Sequence, residues 1–169
     1  SRNLNKLKNS TVVIVSIYRP IFWFGNLFEA QFNKILKRRG RDSVHILCDG
    51  ILDVCDSQFV KVNKNTNPLI CSDCRMRNKV FYKKNNINTI ALDQFVSLSD
   101  LEASFKSIDK ISSLEQAIEF RYKDIDLGKL SRLSVCRYWL RLTLDHRHVS
   151  TYKKFLKSGV ILHEALGNI

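Results

Sequence analysis

Glycine and proline are scarce in this sequence, which has six glycines and two prolines among 169 residues. No Pro-rich or Gly-rich linker, internal repeat or low-complexity tract divides the chain, so we expect a single domain over residues 1–169. The hydrophobic content of 44% is enough for a full core. This composition excludes a disordered tail and a small disulfide-stapled scaffold.

Long apolar segments are also missing. No stretch approaches the roughly 18 apolar residues that a membrane span requires, and the polar residues 1–10 lack the apolar segment of a signal peptide. The five cysteines are an odd number in a chain large enough to fold without disulfides, which favours a reducing compartment. We therefore expect a cytoplasmic protein.

Acidic residues are few, and their scarcity is uneven along the chain. The formal net charge is +12, and residues 1–85 hold 16 basic against 6 acidic side chains, so this half carries +10 of the total. A field of this sign attracts phosphate, nucleic acid or an anionic membrane surface without distinguishing among them.

The familiar catalytic motifs are absent. There is no G-x-G-x-x-G, P-loop, H-E-x-x-H or serine elbow, and Gly25 is interpreted as a loop-to-helix joint. The D-x-D at Asp124 and Asp126 is interpreted as the start of the next helix, with Asp126 as its cap, ahead of a divalent-metal site. The sequence therefore assigns no catalytic residue, and its four histidines form no motif: His45, His146, His148 and His163.

The first half of the chain reads as strand, helix, strand. Residues 11–17 are a β-branched run typical of a central parallel strand, and residues 24–39 have the spacing of an amphipathic helix. Residues 43–47 and 88–92 are the second and third strand candidates, with a short basic helix at 74–84 between them. The pattern predicts three parallel neighbouring strands with helix 24–39 on one face of the sheet.

The second half is predicted to be almost wholly helical. Residues 98–108, 112–120, 127–144 and 150–166 show helical spacing, with S-x-x-E capping boxes at Ser99 and Ser112. Asp145, His146 and His148 are expected in a turn between two helices. Because the last helix ends at Gly167 without a following strand, we expect the chain to be the front part of a longer protein. A complete small domain with a three-stranded sheet is the alternative.

Four cysteines supply the most specific motif. Cys48, Cys55, Cys71 and Cys74 lie within 27 residues, and the C-x2-C end supplies two thiolates from one turn. We predict a structural zinc site in a cysteine-cluster insertion over residues 48–74, with an iron-sulfur cluster as the second choice. Buried or merely reactive thiols are the alternative, and Cys136 is expected to stay outside the site.

The densest basic region surrounds this cluster. With neighbouring aromatic residues it has the composition of a nucleic-acid or phosphate site, although a solvated basic face is the favoured interpretation because no recognition-helix pattern accompanies it. The basic residues are Lys61, Lys64, Arg75, Arg77, Lys79, Lys83 and Lys84, and the aromatic residues are Phe59, Phe81 and Tyr82.

Several short motifs resemble the amino-terminal region of bacterial capsule and surface-polysaccharide biosynthesis proteins of the GT-B glycosyltransferase type. In these proteins a strand ends in C-D-G, as at residues 48–50, and a C-x-x-C follows, as at Cys71 and Cys74. The segments I-D-L-G-K-L at 125–130 and S-G-V-I-L-H-E-A-L at 158–166 are similar to helices that precede the next strand in such proteins. The resemblance implies an α/β fold with a small Rossmann-like parallel sheet, a cysteine-bound loop and a largely helical second half.

The resemblance implies that the chain is the amino-terminal, acceptor-side domain of a glycosyltransferase and is inactive alone. The expected partners are a carboxyl-terminal sugar-nucleotide-binding domain, a glycan or lipid-linked acceptor, and a peripheral contact with the inner face of the membrane. The alternative function is a zinc-stabilised nucleic-acid-binding module.

Overall fold

The computed structural model describes residues 11–16, 23–52, 54, 68–139 and 143–168. Their contacts divide into two compact units. The first contains the described residues up to 51 together with 68–95, and the second contains residues 52 and 54 and the described residues from 96 onward. None of the described helices is long and apolar enough to cross a membrane.

The first unit is built on a parallel sheet of three described strands, β1 (Val12–Ser16), β2 (Ser43–Leu47) and β3 (Asn88–Ala91), in the order β1-β2-β3. In the register, Ile14 pairs with His45, and His45 pairs with Thr89. The prediction of three parallel neighbouring strands is confirmed, as is the α/β class with a small parallel sheet.

The position predicted for the first strand is wrong. Within the described sheet β1 lies at an edge and is half-buried over Val12 to Val15, whereas β2 is the central strand and is buried over its first four residues. A β-branched run indicates cover on the faces of a strand. Such a run does not show whether the strand is paired with another strand along both of its edges, so it could not place β1 at the centre of the sheet.

Two helices cover one face of this sheet. Helix α1 (Trp23–Arg38) connects β1 to β2, and α2 (Pro68–Lys84) precedes β3. Helix α1 contacts the sheet through Asn33, whose amide oxygen accepts a hydrogen bond from the Ser43 hydroxyl. Ala30 joins Tyr82 of α2 in a small core cluster. The prediction that residues 24–39 form a helix on one face of the sheet is thus confirmed.

Helix α2 is longer than the predicted helix at 74–84. It begins at Pro68, a residue favoured in the first turn because its missing N–H has no partner to lose there. Cys71 and Cys74 therefore lie in the first two turns of a helix rather than in a loop. Residues 17–22, 53 and 55–67, which include Cys55, Phe59, Lys61 and Lys64, lie outside the described residues.

The second unit is helical, as predicted. Short 3-10 turns at Leu98–Leu101 and His146–His148 precede α3 (Glu102–Asp109) and α6 (Val149–Gly167), while α4 (Leu114–Glu119) and α5 (Leu127–Trp139) lie between them. Asp145 caps the second of these turns: its carboxylate accepts from the Arg147 backbone N–H. The predicted inter-helix turn at Asp145 to His148 is confirmed.

The predicted capping boxes are misplaced. Ser113, not Ser112, caps α4 by accepting a hydrogen bond from the Gln116 N–H, and the Gln116 side chain accepts from the Ser112 N–H. Ser99 lies inside a 3-10 turn and caps nothing, because α3 follows directly from that turn. For α4 the cap lies one residue later than the motif predicts, and for α3 the preceding 3-10 turn occupies the predicted cap position.

Helix α5 begins in a tight junction around Gly128. A Cβ atom on Gly128 would lie 2.3 Å from the carbonyl oxygens of Ala117 and Ile118, so only glycine allows α5 this close to the end of α4. The Gly128 carbonyl accepts a hydrogen bond of 2.5 Å from the buried Tyr152 hydroxyl. Burial raises the pKa of Tyr152 to about 12, which keeps this donor protonated.

Candidate functional site

Four side chains from the sheet and its two covering helices meet in a mostly buried hydrogen-bonded group, here called the Glu29 cluster: Ser16, Glu29, His45 and Tyr82. The Tyr82 hydroxyl donates to Glu29 Oε2 at 2.6 Å, and His45 Nδ1 lies 3.4 Å from the same oxygen. Ser16 Oγ lies 2.9 Å from His45 Nδ1. One carboxylate thus links β1, β2, α1 and α2.

The cluster holds Glu29 as an ionised carboxylate. Burial raises the pKa of Glu29, but hydrogen bonds from His45, Tyr82 and Ser16 outweigh it, and the net shift is below the ordinary 4.5. For Tyr82, burial and then the hydrogen bond to Glu29 raise the pKa well above its usual range.

His45 presents one nitrogen that nothing described satisfies. The Nδ1 atom of His45 faces both the Glu29 carboxylate and the Ser16 hydroxyl, at 3.4 and 2.9 Å. His45 is fully buried, and Nε2 has no hydrogen-bond partner within the part of the chain that the structure describes. The same holds for Oδ1 of the buried Asn78 on α2. Such atoms are uncommon in folded proteins, in which buried polar groups are nearly always hydrogen-bonded.

The Glu29 cluster lies towards the carboxyl ends of the parallel strands. Ser16 is the last residue of β1, and the chain turns sharply just after β2, where Asp49 and Gly50 have φ of 45° and 89°. The Asp49 carboxylate lies 4.0 Å from Arg75 Nε in the second turn of α2, so the end of β2 and the start of α2 are adjacent. The side chains of Asp49 and Arg75 are both exposed, so they can form the rim of a binding site.

Three of the four predicted metal ligands are in this same region. Cys48 directly follows β2, Cys71 and Cys74 lie one turn apart on α2, and all three are partly buried and reduced. Asn78 Nδ2 lies 3.7 Å from the Cys74 sulfur. Among the described residues no three His, Cys, Asp or Glu side chains are arranged as metal ligands, and Cys55 is not described. The paired thiols of α2 fit two positions of the predicted zinc site, which stays a prediction.

Cys136 lies on α5 in the second unit. The D-x-D at Asp124 and Asp126 belongs to the same unit and lies just before α5. Helix α5 begins at Leu127, which confirms the predicted boundary, and the Leu130 N–H bonds to the Asp126 carbonyl. The Asp126 carboxylate forms ion pairs with Arg121 and Lys129 at 3.0 and 3.7 Å. These cations neutralise a carboxylate that a divalent metal would need.

The two described aromatic residues of the basic region, Phe81 and Tyr82, are at least half-buried. Tyr82 is buried in the Glu29 cluster, and Phe81 is half-buried and packs edge-on against it at 5.3 Å between ring centroids. Arg77 pairs with Asp73. Base stacking on Phe81 and Tyr82 is therefore excluded, and the favoured interpretation of a solvated basic face agrees with the exposed charges of α2.

A second polar group stabilises the helical unit. Glu164 accepts from the Tyr122 hydroxyl at 3.0 Å and pairs with Lys123 at 2.5 Å, while His163 Nδ1 lies 3.0 Å away. The Lys123 ammonium lowers the pKa of Glu164 to about 2. The H-E pair of S-G-V-I-L-H-E-A-L thus anchors the turn before α5, and Gly159 in the same motif leaves room for the Leu127 side chain.

Sequence reasoning missed the Glu29 cluster. His45 carries one signal, since it is a polar residue inside the short apolar strand S-V-H-I-L. Glu29 is likewise the only acidic residue in the basic helix α1. Neither signal names a partner, because the partners lie on other elements.

Comparisons with protein-family models, curated proteins and solved structures find no match for this chain.

Replacing Glu29 with glutamine should lower the free energy of unfolding by roughly 1–3 kcal/mol, because Tyr82 and His45 lose a buried charged acceptor. Tyr82→Phe removes one donor and should cost about 1 kcal/mol. Because the Glu29 pKa is lowered in the fold, its contribution is complete above pH 4.5 and is lost as the pH falls through the folded-state pKa. Urea unfolding at neutral and acidic pH measures both effects. Equal stability of Glu29→Gln and wild type at neutral pH would contradict the cluster.

Proposed function

We propose that this chain is the amino-terminal, acceptor-side domain of a glycosyltransferase that builds a capsular or other surface polysaccharide, with a Rossmann-like sheet as in one half of a GT-B fold. The supporting observation is that the Glu29 cluster, the C-D-G turn and the C-x-x-C helix start lie together near the carboxyl ends of parallel strands. Open α/β sheets bind their ligands at this edge.

The residue chemistry at this edge suits a glycan. Sugar hydroxyls are recognised by carboxylate, amide, hydroxyl and imidazole groups, and Glu29, whose side chain is 18% exposed, is the carboxylate that this edge offers. At the rim, Arg75 is half-exposed and only loosely paired with Asp49. A guanidinium in this position suits the phosphate of a lipid-linked acceptor.

The experiment compares acceptor binding with donor turnover by the purified chain. A lipid-diphosphate-linked oligosaccharide should bind, while nucleotide sugars should be neither transferred nor hydrolysed, because the proposal assigns the donor to a different domain. Arg75→Ala should weaken binding of the diphosphate acceptor, and Arg121→Ala in the second unit is the matched control. Measurable turnover of a nucleotide sugar by this chain would contradict the proposal.

The second candidate is the zinc-stabilised nucleic-acid-binding module, which the exposed basic residues of α2 favour. Its phosphate contacts would make binding to an oligonucleotide fall steeply with salt. Salt-dependent binding of single-stranded or duplex DNA, without binding of the lipid-linked acceptor, would select this function over the first.

A further inference from the structure

Helix α1 presents its apolar side outward. Phe28, Phe32 and Ile35 follow one another at spacings of four and three and lie on one face of the helix. All three are exposed, Phe28 to 70%, and the rings of Phe28 and Phe32 stack with centroids 6.2 Å apart. Amphipathic helices normally bury their apolar stripe.

The cause of this inversion is the polar sheet face beneath the helix. The residues on the buried side of α1 include Glu29, Ala30, Asn33 and Leu36, and His45 and Ser43 supply the polar partners of Glu29 and Asn33. Phe28, Phe32 and Ile35 lie on the opposite side, where the described residues provide no cover. This stripe is therefore a surface that is available to a partner.

Helix α2 extends the same surface. It lies beside α1, as shown by the hydrogen bond from Tyr82 to Glu29 and the contact of Lys37 Nζ with the Asn86 carbonyl at 2.5 Å. Its outward side carries Met76 and Val80, which are about as exposed as the residues of α1. The outer layer of the first unit thus holds apolar side chains on both helices.

Basic residues surround these apolar side chains. Their exposed side chains form no ion pair within the described parts of the chain, and the acidic Asp73 is already paired with Arg77. These unneutralised residues are Lys34, Arg38, Arg39 and Arg41 on and after α1, and Lys79, Lys83 and Lys84 on α2. An apolar stripe with a cationic border is the pattern of an interfacial helix that inserts its apolar side between anionic lipid headgroups.

We propose that the outward face of α1 and α2 docks on an anionic lipid bilayer, with Phe28, Phe32 and Ile35 entering the headgroup region and the basic border contacting lipid phosphate. The positive charge of this face favours a bilayer over a second copy of the chain, because a second copy would place the same positive charges opposite one another across the interface. The inference rests on the exposed faces alone and holds whether or not the chain belongs to a glycosyltransferase.

The test is sedimentation of the chain with vesicles of phosphatidylglycerol and of phosphatidylcholine at low and high salt. The wild type should bind phosphatidylglycerol and not phosphatidylcholine, and added salt should weaken binding. The double variant Phe28→Ser, Phe32→Ser should bind at least about tenfold more weakly. The charge reversal Lys34→Glu, Arg38→Glu should weaken vesicle binding by more than about tenfold, since each positive charge that is lost weakens it roughly fivefold.

The matched control is Leu130→Ser, Leu133→Ser on α5, whose side chains are similarly exposed beside basic residues in the second unit. Its binding should equal that of the wild type. The variant Phe28→Trp preserves an exposed aromatic residue and should bind vesicles like the wild type. The tryptophan emission of this variant should shift to shorter wavelength when vesicles are added.

The following results would overturn the docking proposal. The first is that the wild type does not bind phosphatidylglycerol vesicles, and the second is that the α1 serine variant binds them as tightly as the wild type. The third is that the α5 serine variant loses binding, and the fourth is that the chain forms a dimer in solution that Phe28→Ser dissociates. Oligonucleotide binding that depends on Phe28 and Phe32 would likewise assign the face to nucleic acid. A circular dichroism melt of each variant verifies that it is folded.

Discussion

Replacing Gly128 with alanine should destabilise the helical unit by about 3 kcal/mol or more, which is enough to lower its melting temperature by many degrees. The added Cβ would approach the carbonyl oxygens of Ala117 and Ile118 to 2.3 Å. Both oxygens belong to backbone, so α5 must move away from α4. That movement would also strain the hydrogen bond from Tyr152 to the Gly128 carbonyl.

Two other glycines provide a graded comparison. A Cβ on Gly159 would meet the tip of the Leu127 side chain at 2.7 Å, and this side chain can rotate, so Gly159→Ala should cost less than Gly128→Ala. A Cβ on Gly167 meets nothing within 4 Å, so Gly167→Ala should melt close to the wild type. Thermal melts followed by circular dichroism establish the order. A Gly128→Ala variant as stable as Gly167→Ala would mean that α4 and α5 are not packed this closely.

Replacing Cys74 with serine should lower the metal content of the purified chain from about one equivalent to near zero and lower its melting temperature. Cys71 and Cys74 lie one turn apart on α2, and Cys48 follows β2 at the same end of the sheet. Four thiolates at Cys48, Cys55, Cys71 and Cys74 would close the long connection between β2 and α2, whose ordering otherwise costs chain entropy. Elemental analysis after purification without chelators measures the metal and identifies zinc or iron.

The control for this prediction is Cys136→Ser, since Cys136 lies on α5. Its metal content should equal that of the wild type. A metal-free wild-type chain that melts cooperatively would refute the metal site. Disulfides among the four cysteines would instead show that the chain folds in an oxidising compartment.

Helix α1 shows what the hydrophobic pattern can predict and what it cannot. The spacing of Phe24, Leu27, Phe28 and their successors predicts a helix over residues 24–39, and the structure has it at Trp23–Arg38. The pattern assumes that apolar residues face the sheet. The sheet face carries Ser43 and His45, so polar Asn33 and Glu29 lie against it and Phe28 faces outward. Periodicity identifies a helix but does not identify its partner.

The site could be predicted only in its local parts. C-D-G and C-x-x-C lie close together in sequence, and the strand-to-helix order places both at one end of the sheet. The contacts of the Glu29 cluster join residues that are far apart in the sequence. Ser16 and His45 are separated by 29 positions, and Glu29 and Tyr82 by 53. Such contacts depend on strand register and helix rotation, and neither can be read from a single short motif.

The most direct test of the proposed acceptor domain is a titration of the isotopically labelled chain with a lipid-diphosphate-linked oligosaccharide, followed through its amide resonances. The account predicts that the largest shifts fall at the carboxyl edge of the sheet, near Ser16, His45, Asp49, Gly50 and Arg75, and that a nucleotide sugar shifts none of them. Shifts confined to the outward faces of α1 and α2, or an equal response to the nucleotide sugar, would contradict it.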